Sequence, residues 1–317
     1  MIDGITLYFP NEKINVEKCS LSNLHKQDMN SFTGNLGPLR ITQNLGGTTI
    51  NGSLAKFYFN ENVSVMDSKS ICDSISILEG KTGLNMKHGL ICKLETGKNL
   101  FTENKPSEYM KLFGESGRYG RVEYSKGGFV ETVHYRTPRG DFQFIAYDKG
   151  LESAGNIPER YKGLNILRAE YRILHAKGIR RRFGHNLLAV ELCKSDILEN
   201  LENQFYKFYE SIPKAGRGFL MTNKKVTPMM FEKILAEQFR QQNPQEYQEI
   251  LQSLKSAGNI DKTSMKRIRA TARNRNKDFK WQSAGPLIKE LDGLVESSRN
   301  YKANFETPYL KLIRKPA

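Results

Sequence analysis

Two glutamates and a tyrosine stand in segments that alternate apolar and polar residues, as β-strands do. Side chains along a strand point to opposite faces in turn. In LICKLE and ILRAEYRI, Glu95 and Glu170 lie on the polar side, and in VETVHY, Tyr135 lies on the same side as Val133. If the three strands are neighbours, one sheet face carries Glu95, Tyr135 and Glu170 among cationic side chains.

Such a face has the groups needed to cleave a phosphodiester. Carboxylates on adjacent strands can hold a hard divalent cation, Mg²⁺ or Mn²⁺. A tyrosine hydroxyl is a poor nucleophile at neutral pH because its pKa is about 10. A metal and nearby Lys or Arg would stabilise the charge that develops during attack. The products would be a 5′-phosphotyrosine and a free 3′-OH, which can prime a polymerase.

Each of these residues also has an ordinary structural explanation. The Arg-x-Glu-x-Arg pattern at 168–172 is typical of a solvated strand face whose side chains pair with one another. Glu95 is typical of a surface glutamate, and Tyr135 is one of 14 tyrosines. The patterns are therefore not specific when taken singly.

Histidines and cysteines provide no separate metal site. His88 and His134 do not form a His-hydrophobic-His motif, which favours structural roles for both. The cysteines form no Cys-x-x-Cys pair, so we expect reduced thiols in a cytosolic protein. The four are Cys19, Cys72, Cys92 and Cys193.

The charge of the chain points to a polyanionic partner. The 317 residues carry 49 Lys plus Arg against 34 Asp plus Glu, a net charge of +15. Nucleic acid and an anionic membrane surface are the usual partners of such a chain. No stretch approaches the roughly 20 apolar residues that span a bilayer, and the N-terminus lacks the layout of a signal peptide. From Lys214 onward the chain holds 21 of the basic but only 10 of the acidic residues.

The pattern of the first 190 residues predicts strands joined by turns. The Gly46-Gly47 and Asn51-Gly52 pairs are turn signals, and 69–78 has the pattern of a short amphipathic helix. The predicted strands are 5–9, 39–43, 53–59, 89–96, 128–135, 142–149 and 165–174.

From Ser195 onward the apolar spacing becomes helical, with Leu198, Leu201 and Phe205 on one face. The glycine-containing segment 214–218 is a candidate linker. We therefore expect an α+β protein in which residues 1–213 form a catalytic domain with a mainly antiparallel sheet. Residues 214–317 are expected to form a basic helical domain that binds duplex DNA.

Three helices are predicted in that basic part, after Pro228, after Pro244 and from Asp261 to about 277. The short turn 258–260 would join the last two in a helix-turn-helix arrangement. Phosphate contacts would provide most of the affinity. The alternative is a solvated basic helix with no specific role. The predicted DNA contacts, including an arginine run expected in a turn, are Arg136, Arg139, Arg172, Arg180, Arg181, Arg182, Lys266, Arg269, Arg273 and Lys277.

Four segments in order resemble replication proteins of the filamentous-phage gene II/X type. Segment 34–63 resembles the family's Gly-Ser-Leu-x-Lys-[Tyr/Phe] region, and 92–99 is similar to its Arg-x-Asp strand followed by Asn. Segment 147–152 matches a Tyr-Asp-Lys-x-x-Glu block, and 167–172 matches a Leu-Arg-x-Glu-x-Arg block. The blocks span about residues 1–190, and their order is more specific than any one of them.

The resemblance implies a rolling-circle initiator whose fold is similar to that of His-hydrophobic-His nucleases. A related plasmid family places its nicking tyrosine about a dozen residues before the Tyr-Asp-Lys block, which is Tyr135 here; Tyr119, Tyr124 and Tyr147 are the competing choices. Glu95 departs from the usual Asp, and Lys93 from the usual Arg. The expected site residues are Tyr135, Lys149 and Arg168 for catalysis and Glu95, Asp148 and Glu170 for the metal.

The partners implied are origin DNA, both single- and double-stranded, and the polymerase and helicase of a bacterial host, with homodimerisation possible. Two rival functions remain open. One is an origin-binding protein on the same scaffold that cuts nothing, and the other is a mobilisation relaxase or transposase.

Overall fold

The structure, a computed structural model, describes most of the chain. The described ranges are 2–28, 31–61, 63–116, 119–153, 157–214, 217–220, 243–275, 280–283 and 285–299, with positions 232, 235–236 and 239–240.

Ten strands form one sheet in which every neighbouring pair is antiparallel, as the sequence predicts. The strands are β1 (Ile2–Pro10), β2 (Ser22–Lys26), β3 (Phe32–Leu36), β4 (Leu39–Asn44), β5 (Gly47–Ser53), β6 (Leu90–Thr102), β7 (Gly120–Lys126), β8 (Phe129–Arg136), β9 (Phe142–Asp148) and β10 (Asn165–Ile173). Their order across the sheet is β2-β3-β4-β5-β1-β6-β10-β9-β8-β7. The central strands β1, β6, β10 and β9 therefore bring together residues from both ends of the first 175 positions.

Helices flank the sheet and continue after it. They are α1 (Leu54–Phe59), α2 (Ser68–Thr82), α3 (Pro106–Met110), α4 (Lys149–Glu152), α5 (Ala176–Phe183), α6 (Ser195–Ser211), α7 (Pro244–Ser256), α8 (Lys262–Arg275) and α9 (Pro286–Arg299). The predicted helix at 69–78 is confirmed as α2, which begins with a capping box at Asp67 and ends at Gly83 with a φ of 70°. None of the described helices is long and apolar enough to cross a membrane.

The sequence prediction is wrong for residues 47–59. Segment 53–59 was expected to be a strand, but it forms α1, because the Ser53 side chain accepts a hydrogen bond from the Lys56 amide and caps the helix. The strand is instead β5, which includes the expected turn at Asn51-Gly52. The turn at Gly46-Gly47 is confirmed as the connection between β4 and β5.

One face of the sheet is apolar and carries the main core. Phe144 of β9 lies at its centre, with its ring centroid 5.8 Å from Phe205 and 5.7 Å from Phe208 of α6. Tyr135 and Tyr171 extend this layer on the neighbouring strands. We call this side the apolar face.

Helix α9 lies beyond the predicted boundary at residue 213 and packs against the core of the sheet. Its Leu291 and Val295 are buried in the same core as the sheet. Tyr209 of α6 donates a hydrogen bond to Asp292 at 2.6 Å, and Tyr109 of α3 donates one to Glu290. Residues 286–299 therefore contact the core of the sheet, and the division of the chain at residue 213 stays a prediction.

The part after residue 213, expected to be a basic helical domain, contains strands as well as helices. Two short strands, β11 (Arg217–Leu220) and β12 (Lys280–Ser283), pair antiparallel. Helices α7 and α8 are confirmed and follow one another through the turn at Gly258, where φ is 74°. The helix expected after Pro228 falls mainly outside the described residues.

Candidate active site on the charged sheet face

The face opposite the apolar face carries a row of charged side chains on β6, β10 and β9. Arg168 is paired in register with Tyr147, and Arg172 is paired with Glu95. Directly paired residues of antiparallel strands share a face, and Glu170 lies between the two arginines with the same parity. We call this side the charged face.

Arg168 joins two carboxylates in the interior of this face. Its guanidinium donates hydrogen bonds to Asp3 at 2.6 Å and to Glu170 at 3.0 Å, and a third to Asn99 at 3.0 Å. Burial alone would lower the pKa of Arg168, but the charges of Asp3 and Glu170 hold that pKa above its ordinary value. The guanidinium therefore stays charged although it is buried.

Glu170 has both carboxylate oxygens occupied. Oε1 accepts hydrogen bonds from Tyr147 at 2.8 Å and from Arg168 at 3.0 Å, and Oε2 accepts two from Arg172, at 2.9 and 2.5 Å. The side chain is only 1% exposed, and burial raises a carboxyl pKa. The two guanidinium groups outweigh that effect and lower the pKa of Glu170 to about 2.

Two further polar side chains belong to this face, Tyr147 near the end of β9 and Lys149 at the start of α4. Burial and the charge of Glu170 raise the pKa of Tyr147, so its hydroxyl is a neutral donor at pH 7. The Lys149 ammonium lies 5.8 Å from the centre of the Tyr147 ring and donates to Glu152 at 2.6 Å. Burial lowers the pKa of Lys149, and the pairing with Glu152 opposes that shift.

Asp3 of β1 reaches the charged face at a point where the pairing of β1 with β6 is irregular. The register of β1 against β6 shifts between Ile2 and Ile5. Asp3 accepts a 2.5 Å hydrogen bond from Ser53, and Ser53 in turn accepts one from the Lys56 amide at 3.1 Å. The cap of α1 is therefore connected to the charged residues of β10.

Glu95 lies at the more open end of the row. It pairs with Lys93 at 2.6 Å and with Arg172 at 3.5 Å. Its carboxylate lies over Gly4, where a Cβ atom would stand 2.2 Å from Oε2, so a side chain at this position would displace the Glu95 carboxylate. The charged cluster has four acids and four bases, namely Asp3, Glu95, Glu152, Glu170, Lys93, Lys149, Arg168 and Arg172, and it includes the Tyr147 hydroxyl.

Tyr135 does not lie on the charged face, which corrects the prediction that it stands beside Glu95 and Glu170. It is paired in register with Phe144, which is paired with Tyr171, so it belongs to the apolar face. The side chain is 0% exposed, and its hydroxyl donates to the Gly114 carbonyl at 2.7 Å. Burial raises the pKa of Tyr135. Alternation within one strand was predicted correctly, but alternation does not fix the register between strands.

Asp148 does not join the two glutamates either. It is paired in register with Leu167, which is on the apolar side, and its side chain caps α4 by accepting from the Leu151 amide at 3.1 Å. Within the described ranges no three His, Cys, Asp or Glu side chains are grouped to hold a metal ion. Because Glu95 and Glu170 are neutralised by guanidinium and ammonium groups, the predicted set does not fit a three-carboxylate metal site.

The competing tyrosines differ in position. Tyr147 is part of the charged cluster, whereas Tyr119 stacks on Phe208 of the apolar side at 4.2 Å. Tyr124 is 58% exposed on the edge strand β7, with its ring edge against His134 of β8 at 5.2 Å. Sequence reasoning named Tyr147 only as a competitor, although it stands in an intact block.

The predicted DNA contacts near the sheet divide into exposed and paired groups. Arg136 and Arg139 are exposed at the turn between β8 and β9. Arg181 pairs with Asp141, and Arg182 lies over the Phe142 ring at 4.6 Å. The arginine run was expected in a turn but forms the last turn of α5, where Arg180 is exposed and donates to Asn186 at 3.5 Å.

The predicted contacts in the basic part lie partly outside the described residues. Lys266 is exposed on α8, and Arg269 and Arg273 lie within that helix. Lys277 lies outside the described residues. Their role in duplex binding stays a prediction.

Comparison with known proteins finds similarity among solved structures. No family model and no curated protein sequence matches the chain. Among solved structures, the chain is similar to the rolling circle replication initiator protein from Geobacillus stearothermophilus, at 12% sequence identity and a TM-score of 0.41. The match covers 74% of this chain and 95% of that one.

Proposed function

We propose that the chain is a rolling-circle replication initiator that nicks one strand of origin DNA by tyrosine transesterification. One observation carries the proposal: the four family-like segments, far apart in sequence, all contribute to the charged cluster. Ser53 comes from the first, Glu95 from the second, Tyr147 from the third and Glu170 from the fourth. Packing alone does not require that these four segments meet through polar side chains.

In this proposal the nucleophile is Tyr147, not Tyr135. Its oxygen attacks the scissile phosphorus, the new O–P bond replaces the bond from phosphorus to the 3′ oxygen, and the phenolic proton passes to Glu170, to which it is already hydrogen-bonded at 2.8 Å. The leaving 3′ oxygen takes a proton from water. The products are a 5′-phosphotyrosine and a 3′-OH.

Of the two arginines in the cluster, Arg172 is the better placed to receive the phosphate. It is a quarter exposed, whereas Arg168 is buried. An arginine can bind phosphate through two parallel hydrogen bonds. As Arg172 turns from Glu170 toward the phosphate, Glu170 loses a neutralising partner and its pKa rises, which makes it a better proton acceptor.

One observation favours the rival of a binding protein that does not cut. Both oxygens of Glu170 are occupied and the Tyr147 side chain is half-buried, so the cluster is already satisfied internally. A stable network of this kind is also found where charged residues only stabilise a fold.

The two functions differ in whether a covalent product forms. The chain is incubated with supercoiled plasmid carrying its replication origin, in separate reactions with Mg²⁺, Mn²⁺ or EDTA. Nicking and a protein–DNA adduct are expected for the native chain. Tyr147→Phe should lower the rate by about 1000-fold or more, because the attacking atom is gone.

Tyr135→Phe is the matched control. It should keep nicking and lose about 1–3 kcal/mol of stability, because the Gly114 carbonyl loses its buried donor. An adduct that survives Tyr147→Phe removes Tyr147 from the reaction. A native chain that binds the origin but never forms a nick or adduct supports the rival instead. The EDTA reaction measures the metal requirement, which stays a prediction of the sequence.

A further inference from the structure

The hairpin of β7 and β8 ends in an exposed aromatic ring. Its two-residue turn is Gly127-Gly128, with φ values of 56° and 79° that favour glycine. Phe129 follows the turn, is paired with Lys126 and is 54% exposed. A phenylalanine exposed to this extent contributes little to the core, since Val130 beside it is the buried residue.

Two lysines lie beside this ring, and a third is paired with Phe129 across the hairpin. The ammonium groups of Lys105 and Lys111, which flank α3 at its two ends, lie 5.9 and 6.0 Å from the ring centre of Phe129. Lys126 is the third, on the paired strand. None of the three forms an ion pair with another residue in the part of the chain that the structure describes, so no carboxylate occupies their ammonium groups.

We propose that this hairpin end is a binding site for a single-stranded DNA segment, with an unpaired base stacked on Phe129 and the flanking phosphates held by Lys105 and Lys111. A flat aromatic ring offers a stacking surface to any base, and neighbouring cations complement the backbone. An intact duplex exposes no base face, so single-stranded DNA is the occupant that uses both the ring and the charges.

The site is separate from the charged cluster. Thr132 of β8 is paired with Tyr147, and Phe129 stands three residues earlier on the same strand. At about 3.3 Å per residue the ring lies roughly 10 Å along the strand from the level of Tyr147. The inference rests on the proposed function only in that this function brings single-stranded DNA to the chain; binding at the hairpin needs no nicking.

The test measures the affinity of the full chain for fluorescein-labelled oligothymidylate by anisotropy, at several salt concentrations. Phe129→Ala should weaken binding by about tenfold, the effect of losing one stacked base, and Phe129→Trp should restore it. The double variant Lys105→Gln with Lys111→Gln should lower the slope of log affinity against log salt by about 0.7 for each phosphate that is no longer bound.

Matched controls come from exposed residues elsewhere. Leu45→Ala removes a 74% exposed side chain from another hairpin turn, and Lys18→Gln with Lys207→Gln removes the same charge from other surfaces. Both controls should bind like the native chain. Unchanged affinity in Phe129→Ala, or an equal loss in the lysine controls, overturns the proposal. Nicking by Tyr147→Phe is scored separately, so failure of one proposal is distinguishable from failure of the other.

Discussion

At the scale of single residues, Glu170 is the residue on which most of the charged cluster depends. It is the common acceptor of Tyr147, Arg168 and Arg172. Glu170→Gln leaves two guanidinium groups without their shared carboxylate, and breaking a buried ion pair in this way costs about 3–5 kcal/mol. Denaturant unfolding at pH 7 should show this loss. The exposed Glu159→Gln, whose partner Lys162 is also exposed, should cost less than about 0.5 kcal/mol.

The lowered pKa of Glu170 also predicts how the unfolding free energy depends on pH. The folded pKa of Glu170 is about 2, against an ordinary value of 4.5. A carboxyl whose pKa is lower in the folded state stabilises that state at any pH above its unfolded pKa. For Glu170 this contribution is roughly 3 kcal/mol, and it is lost as the pH falls from about 4.5 to about 2. The difference in unfolding free energy between the native chain and Glu170→Gln should therefore narrow between pH 7 and pH 3. A difference that stays constant over this range would contradict the assignment.

At the scale of elements, the N-cap of α1 connects this helix to the charged cluster through hydrogen bonds. Ser53 accepts from the Lys56 amide and donates to Asp3. Ser53→Ala removes both bonds and should lower the unfolding free energy by about 1–2 kcal/mol. Ser297→Ala, at an exposed serine that donates to the carbonyl of Leu294 in its own helix, is the control and should change stability little. Equal losses of unfolding free energy in both variants would mean that the Ser53 cap does not stabilise the fold more than an ordinary exposed serine.

Strand alternation was the most reliable signal at this scale. Strands β8, β9 and β10 appear close to their predicted ranges because each alternates apolar and polar residues, whereas β6 starts near its predicted start and continues six residues further, to Thr102. Segment 53–59 was misassigned because its aromatic residues have high strand propensity, and a single serine cap outweighed that preference. Short aromatic segments of this kind are ambiguous from pattern alone.

At the scale of the whole molecule, α9 returns from the C-terminal part to the sheet. Leu291 is fully buried in the common core, so Leu291→Ala should cost about 2–5 kcal/mol. The loss should lower the midpoint of the unfolding transition monitored by signals from the sheet. Leu254→Ala on α7 replaces a 37% exposed side chain and should cost far less. If Leu291→Ala shifts only a second, separate transition, that result supports the predicted boundary at residue 213.

Composition and strand periodicity were sufficient for the α+β class and the mainly antiparallel sheet, and strand alternation was sufficient for the polar side of β6 and β10, because alternation within a strand depends on local order alone. The structure places Glu95, Arg168 and Glu170 in one charged cluster, and their role as site residues stays a prediction. Strand pairing decides which face Tyr135 and Asp148 occupy, and it also brings Asp3 into the cluster. The paired segments are far apart in sequence, up to 165 residues in the case of Asp3 and Arg168. A shift of one residue in that pairing reverses every face, so only the folded chain decided these positions.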